Sequence, residues 1–300
     1  MMSDTLYSRQ LEQHLQQIEQ AMPCYLPQND ALHEPVSSAM TYACMAGGKR
    51  IRPVLLLEFC RVCGGNTQAA LPFACALEMI HSYSLVHDDL PCMDNSPLRR
   101  GKPSVHAAYG EDMALLAGDA LLNRAFETML SCECRKNLDA ETAMTAAGVL
   151  ADAAGIGGMV GGQVIDLQSE GKVLTLAMLE KLQEGKTAAL LAAACEMGCI
   201  LGHADDQQRW AARTFGRNIG LSFQIVDDIL DAVSTQETLG KPVGSDQDNQ
   251  KATYVRLLGI EEARALAESR TQEAVEALSL FGEEAGDLKE LAWALLIRKK

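Results

Sequence analysis

The chain has 300 residues, of which 48% are apolar, enough to bury a large core, and 40 acidic against 26 basic side chains leave a formal charge of −14. That balance argues against nonspecific nucleic-acid binding and against docking on anionic membranes, so an anionic ligand would have to be met by local basic clusters or bridging metal ions. No Pro/Gly/Ser-rich linker, repeat or low-complexity run divides the sequence, and residues 1–300 are expected to form one domain.

The Ala, Leu, Met, Glu and Gln content favours helix, and no alternating pattern persists beyond a few residues, so an all-α fold is expected. The opening MMSDTLYSRQ lacks the basic and apolar parts of a signal peptide, and no run of about 18 apolar residues is evident. A cytoplasmic protein without a transmembrane segment is expected. In such a chain the ten cysteines should be reduced and mostly buried; Cys60 and Cys63 form the only CxxC, without a second pair to complete a zinc site.

In chain order, the first predicted helix covers residues 5–22, with Leu6, Leu11, Leu15 and Ile18 as its apolar stripe and Pro23 and Pro27 closing it. A second covers 31–46 and ends at Gly47 and Gly48, residues suited to left-handed backbone. Then comes GGKRIRP (47–53), in which Lys49, Arg50 and Arg52 stand between the glycines and a first-turn proline, a pattern suited to phosphate oxygens and equally to a solvated turn.

The helix predicted over 68–89 carries His81, Ser84 and Asp88 on one face of an otherwise apolar segment, as if lining a cavity. Pro91 should end it near Asp88 and Asp89 and let the chain curl so that Asp88 and Asp94 converge on one cation. Two carboxylates at the negative end of a helix dipole are otherwise unfavourable. Arg99, Arg100 and Lys102 follow.

Helices are predicted near 110–130 and 140–154. The stretch GIGGMVGGQVIDLQ (155–168) lacks a preceding strand and the GxGxxG order, so it reads as close helix packing or a kink; Gln163 and Asp166 are its polar members. A helical pattern over 175–201 is interrupted at Gly185-Lys186-Thr187, which is no P-loop because Glu180 stands where the first glycine should be. In SFQIVDDILD (222–231), Gln224, Asp227, Asp228 and Asp231 recur at three- and four-residue steps on an apolar helix, and such buried carboxylates require metal ions, lysines or raised pKa values. Gly240-Lys241-Pro242 opens a loop running to Lys251 and Tyr254 that could cover a site. Two amphipathic helices, 261–280 and 287–297, end the chain, with Arg298, Lys299 and Lys300 at the negative helix end.

Carboxylates on two helices with Arg and Lys nearby suit Mg²⁺-dependent diphosphate chemistry. In combination, GGKRIRP, HSYSLVHDDLPCMD, LRRGKPS, AGDALL, GGQVIDL, GKT, FQIVDDILD and GKPVGSD followed by KATY resemble the trans-isoprenyl (polyprenyl) diphosphate synthases of the bacterial farnesyl diphosphate synthase type, from about Tyr42 to the C-terminus. The resemblance implies an all-α isoprenoid synthase fold, a helical bundle around a central cavity, and a homodimer that condenses isopentenyl diphosphate with an allylic diphosphate. It further implies several Mg²⁺ ions held by Asp88 and Asp94, with Asp89 beside them, and by Asp227 and Asp231, with Asp228 adjacent. Lys49, Arg52, His81 and Arg100 match the isopentenyl diphosphate site; Arg99, Lys186, Thr187, Gln224, Lys241 and Lys251 match the allylic side. Asp88, Asp94, Arg99, Lys186, Asp227 and Lys241 are the expected catalytic set.

Tyr83 and Ser84, just before Asp88, are the expected chain-length determinants, and an aromatic there accompanies a C15 product in bacterial relatives. The LPCMDN run instead resembles enzymes making C20. Asn95-Ser96-Pro97 departs from the acidic continuation common in the family, and Gln250 and Val255 replace its usual Gly and Pro. Two other classes are weighed: a class I terpene cyclase, which would lack DDILD and the Lys49, Arg52 and Arg100 site, and a weakly catalytic regulatory subunit, suggested only by the departures.

Overall fold

The computed structural model describes residues 6–28, 32–131, 137–233 and 252–298. Helices α1 (Arg9–Tyr25), α2 (Glu34–Met45), α3 (Ile51–Val62) and α4 (Thr67–Asp88) come first. A hairpin of β1 (Leu98–Arg99) and β2 (Lys102–Pro103) leads to α5 (Val105–Tyr109), α6 (Glu111–Leu130), α7 (Ala140–Ala154), α8 (Met159–Ser169) and α9 (Leu176–Gln183). A π-helical turn (Glu184–Ala188) joins α9 to α10 (Ala189–Leu201); α11 (Asp206–Val233), α12 (Tyr254–Leu258) and α13 (Ile260–Ala277) follow, and a 3₁₀ stretch (Leu278–Ala285) leads into α14 (Gly286–Ile297). The expected all-α fold is observed, with the antiparallel hairpin as the strand structure among the described residues.

Capping explains several boundaries. The Asn66 side chain accepts from the N–H groups of Gln68 and Ala69 and starts α4; Asp139 and Thr175 do the same for α7 and α9. One expectation is corrected: Pro23 does not close α1 but sits in its last turn, and the helix stops where Leu26 turns extended and returns its N–H to the Met22 carbonyl. A proline so near the end withdraws only one helical donor.

Helix α4 is apolar on nearly all sides because it runs through the core, where Phe73, Leu77, Met79 and Ile80 are fully buried. Its length and composition would let it cross a membrane, as would those of the stretch Ala140–Ser169, which corrects the expectation that no such run exists. For α4, 78% of the apolar window is buried against other helices, and that burial accounts for the composition.

The main apolar cluster joins α1 to α4, α6, α7, α10, the first half of α11 and α14. A smaller one, with Leu179, Ile225, Val226, Ile229, Tyr254, Ala263 and Ala267, joins α9, the second half of α11, α12 and α13. Helix α11 is therefore shared by both clusters, and its Gln224 and Asp227 line the same cavity as Arg52 of α3 and His81 of α4.

Backbone approach sets the α3–α10 spacing. A Cβ on Gly198 would stand 2.7 Å from the Phe59 Cβ and 3.1 Å from the Cys60 nitrogen, whereas one on Gly148 in α7 would meet nothing within 4 Å. Gly198→Leu should therefore lower unfolding free energy by about 3 kcal/mol through overpacking, while Gly148→Ala should be neutral or add about 0.5–1 kcal/mol through helix propensity. Urea unfolding of the two variants checks this; equal effects would mean the α3–α10 approach is not constrained as described.

Candidate active site

Two segments converge above the N-terminus of α3. Gly47 and Gly48 carry φ of 90° and 137°, and Arg50 adopts φ 51°, turning the chain sharply from α2 into α3. This turn buries Arg50, whose guanidinium pairs with the buried Glu78 of α4 at 2.6 Å and donates to the Cys44 carbonyl. Arg50 is thus a strut, and its neighbours Lys49 and Arg52 are left to face the adjoining cavity. The Tyr7 hydroxyl, donating to the Lys49 carbonyl, holds the same turn from below.

The hairpin supplies the second segment. Arg100 and Gly101 both have positive φ (54° and 75°), as a two-residue primed turn requires. Arg99 forks onto Asp89, Nε to Oδ2 at 2.8 Å and Nη2 to Oδ1 at 2.6 Å, and Arg100 donates to the Gly47 carbonyl. The φ of 137° requires glycine at position 48, and the absence of a Cβ there lets the Arg100 guanidinium lie against the backbone. The Tyr42 hydroxyl ties the hairpin down through the Pro103 carbonyl at 2.8 Å.

These cations share one cavity of about 760 Å³, lined by Lys49, Arg52, His81, Arg99, Arg100, Thr187, Phe223, Gln224 and Asp227 among others. Burial, reinforced by Arg100 and opposed by Glu78, pushes Arg52 down to about 10. Burial, with Arg50 and Arg99 outweighing the opposing pull of Glu78, lowers Arg100. Burial and Arg298 lower Lys49 against the pull of Asp227. Burial works most strongly against the Arg99 charge too, but the hydrogen bonds to Asp89 together with the charges of Asp89, Asp88 and Asp94 outweigh it and raise Arg99. His81, half-buried with its Nε2 3.4 Å from Arg52 Nη1, is pushed well below the usual histidine range by burial and by Arg52, Arg100, Arg99 and Arg50. A neutral imidazole accepting from Arg52 results. Such crowding of like charge is the signature of a site that an anion completes.

Arg52, His81, Leu85 and Thr187 also line a second, mostly apolar cavity of about 370 Å³. Its walls are Tyr83, Ser84, Asp88 and Met93 on one side, Met159, Val160, Gln163, Val164 and Leu167 of α8 on another, and Lys186 and Leu190 beyond. Tyr83 is buried and packs edge-on against His87, ring centroids 5.8 Å apart. The Ser84 hydroxyl donates to the His81 carbonyl at 2.8 Å.

The break at Pro91 acts as the sequence suggested. Helix α4 ends at Asp88, and the Asp94 N–H returns to the Asp88 carbonyl at 2.8 Å, which brings the two residues together. Asp89, only 2% exposed, points instead to Arg99. On α11, the buried Asp228 accepts from the Tyr254 N–H at 2.8 Å and from Gln224 Nε2 at 3.1 Å, tying α12 to the acidic stripe. Asp231 is also buried. Lys241 and Lys251 lie outside the described residues.

One cation was missed by the sequence reading. Arg298 Nη2 donates to Asp227 Oδ1 at 2.7 Å and to the Phe223 carbonyl at 2.8 Å, and its guanidinium carbon lies 3.8 Å from the Phe223 ring centroid. From sequence it reads only as a charge favouring the end of α14. No local spacing signals a pairing across 71 residues.

The interruption at Gly185-Lys186-Thr187 is the π-helical turn, a feature common at functional sites. It is pressed onto α8: a Cβ on Gly185 would stand 3.0 Å from the Gly162 Cα, and one on Gly162 would strike the Lys186 backbone. Lys186 reaches Asp166 at 2.5 Å, and the Thr187 hydroxyl lies 3.3 Å from Oε1 of both Gln183 and Gln224. The glycine-rich stretch is close helix packing, as expected.

The donor set suits a hard divalent cation. Carboxylate oxygens from α4 and α11 flank the basic cavity, and among the described residues no three His, Cys, Asp or Glu side chains gather into a complete metal cage. Mg²⁺ usually takes one or two protein carboxylates, with water and substrate phosphate oxygens completing its shell.

A cationic cavity that shares Arg52, His81, Leu85 and Thr187 with a hydrocarbon-lined one, on a helical frame, suits anions with apolar tails. Residues 33–292 match the polyprenyl synthetase family, and the chain belongs to that family. It is 44% identical over 276 residues, 92% of each chain, to a farnesyl diphosphate synthase of Micrococcus luteus. It is 47% identical over 258 residues to a geranylgeranyl diphosphate synthase of Cyanophora paradoxa, covering 86% of this chain and 85% of that one. A Helicobacter pylori geranyltransferase solved with magnesium and isoprenyl diphosphate superposes with a TM-score of 0.84 at 32% identity, over 97% of this chain and 98% of that one. The fold is the isoprenoid synthase fold, and the chain is a prenyltransferase of isoprenoid biosynthesis.

Two outcomes separate site from strut. Arg52→Met should weaken inorganic diphosphate binding by roughly 10- to 100-fold, the worth of a charged hydrogen bond, with little change in melting temperature. Arg50→Met should instead cost about 3–5 kcal/mol of stability by leaving buried Glu78 unpaired. Calorimetric titration and thermal melts of both variants decide, and the reverse pattern would exchange the two roles.

The His81 shift also carries a pH dependence. Its folded-state pKa lies below the unfolded value of about 6.5. The unfolded chain therefore binds more protons between the two, so this contribution is complete above about pH 6.5 and is lost as pH falls below it, at up to about 1.4 kcal/mol per unit. Stability measured from pH 7.5 down to 5 should decline less steeply in His81→Gln; an unchanged slope would contradict a neutral His81.

Proposed function

We propose that the protein condenses isopentenyl diphosphate with dimethylallyl and then geranyl diphosphate, giving (2E,6E)-farnesyl diphosphate and diphosphate. The observation that carries this reading is the junction at Arg52, His81, Leu85 and Thr187, where the cationic cavity opens onto the hydrocarbon one. Lys49, Arg52 and Arg100 hold the isopentenyl diphosphate, with neutral His81 orienting Arg52. Arg99, Lys186, Thr187 and Gln224 hold the allylic partner, joined by Lys241 and Lys251. Asp88, Asp94, Asp227 and Asp231 would hold the Mg²⁺ ions, with Asp89 and Asp228 beside them positioning Arg99 and Gln224. When bound, these ions neutralise the leaving diphosphate.

The allylic C–O bond then breaks with its electron pair leaving on diphosphate. The isopentenyl double bond attacks the allylic carbon, and a proton passes to the released diphosphate. Met93, Met159, Val164, Leu167 and Leu190 keep water from the cation. Lys186, held by Asp166, and Thr187, held by Gln224, stay fixed while charge moves.

Tyr83 in the cavity wall supports a C15 product. Geranylgeranyl diphosphate is the second reading, favoured by the similar identity to the Cyanophora paradoxa enzyme and by the LPCMDN run. The resemblance further supports a cytoplasmic homodimer.

Incubation with Mg²⁺, isopentenyl diphosphate and dimethylallyl or geranyl diphosphate, followed by chromatography, tests the reading. Farnesyl diphosphate is expected; cyclic hydrocarbon would indicate a cyclase, and no turnover a regulatory subunit. Tyr83→Ala should shift the product to C20 or longer, and unchanged C15 output would remove Tyr83 from chain-length control.

A further inference from the structure

We propose that Gln163 is a further catalytic residue, its amide carbonyl oxygen facing the allylic cation from the hydrocarbon side of the site. This rests on the prenyl-transfer reading above. Gln163 lies on the face of α8 that also presents Met159, Val160, Val164 and Leu167 to the apolar cavity. Both its amide oxygen and its amide nitrogen are buried, and neither has a hydrogen-bond partner among the described residues. Such an amide is costly to keep in a wall where leucine or methionine would fill the same space, unless water or a bound substrate group meets it.

The position of Gln163 is fixed. Gly162 abuts the Lys186 backbone, setting the next residue beside the π-helical turn that carries Lys186 and Thr187. The diphosphate already has cations around it, from Arg52 to Lys186. Once the C–O bond has broken and its electron pair has left with diphosphate, the positive charge is spread over the allylic carbons against the apolar wall. There a neutral amide dipole can meet it. A carboxylate would also attract the cation but could capture it as an ester, whereas an amide oxygen stabilises it without forming a bond that must be broken again. No protein partner holds the amide, so a turn of the side chain that brings its buried oxygen onto the cavity breaks no hydrogen bond.

The test compares wild type with Gln163→Leu, and with Gln163→Met should the first not fold. Expected is a roughly 10- to 100-fold lower kcat, a KM for isopentenyl diphosphate within about threefold, and an unchanged or higher melting temperature. An ammonium analogue of the geranyl cation, bound with inorganic diphosphate, should lose at least about tenfold in affinity, whereas the non-ionising geranyl thiolodiphosphate should stay within about twofold. A kcat within about twofold of wild type, or equal weakening of both analogues, would overturn the proposal. Failure of wild type to turn over would instead overturn the prenyl-transfer reading.

Discussion

Holding several guanidinium groups and an ammonium together before any anion arrives is the constraint on which the rest of this structure depends. Burial first, and the like charges nearby second, push these groups toward neutrality, as the lowered Arg52, Arg100 and Lys49 show. The protein meets the cost with struts. Arg50 is sunk against Glu78, Arg99 is forked onto Asp89, and Arg298 is laid across Asp227 and Phe223. Each strut is largely buried on at least one side. The glycines at 47 and 48, and the primed hairpin turn at Arg100-Gly101, provide the tight geometry that these pairings require.

The same helices divide their surfaces between two tasks. Helix α4 offers His81 to the cationic cavity and Tyr83, Ser84 and Asp88 to the apolar one, while its remaining sides are core. The π-helical turn makes a comparable division, with Thr187 at the junction and Lys186 reaching back to Asp166. Chemistry that separates charge at one end of a greasy substrate needs both environments within a bond or two of each other.

Much of this was legible in the sequence where the governing physics is local. Pro91 ends α4 and curls Asp94 back to Asp88; the Gly pair after α2 has positive φ; the GKT interruption is a break in α-helical order; and the glycine-rich 155–168 stretch is tight packing. Long-range pairing was not legible. Arg50 and Arg52 look alike in GGKRIRP, yet only Arg50 meets Glu78, 28 residues away. Likewise nothing near Asp89 or Asp228 distinguishes them from Asp88 and Asp227, because the difference lies in Arg99 and the Tyr254 amide, brought in from other segments. Arg298 belongs to the same class. The apolar length of α4 was likewise underrated, since a helix that a core surrounds shows no polar face.

The central claim is that the cationic and hydrocarbon cavities are one substrate site. A crystal structure with Mg²⁺, isopentenyl diphosphate and geranyl thiolodiphosphate tests it most directly. The account predicts one diphosphate beside Arg52 and Arg100, the other between Asp88 and Lys186, and the geranyl chain running along Met159, Val164 and Leu167 toward Tyr83. A geranyl chain lying outside that cavity, or a diphosphate bound away from Arg52 and Arg100, would contradict it.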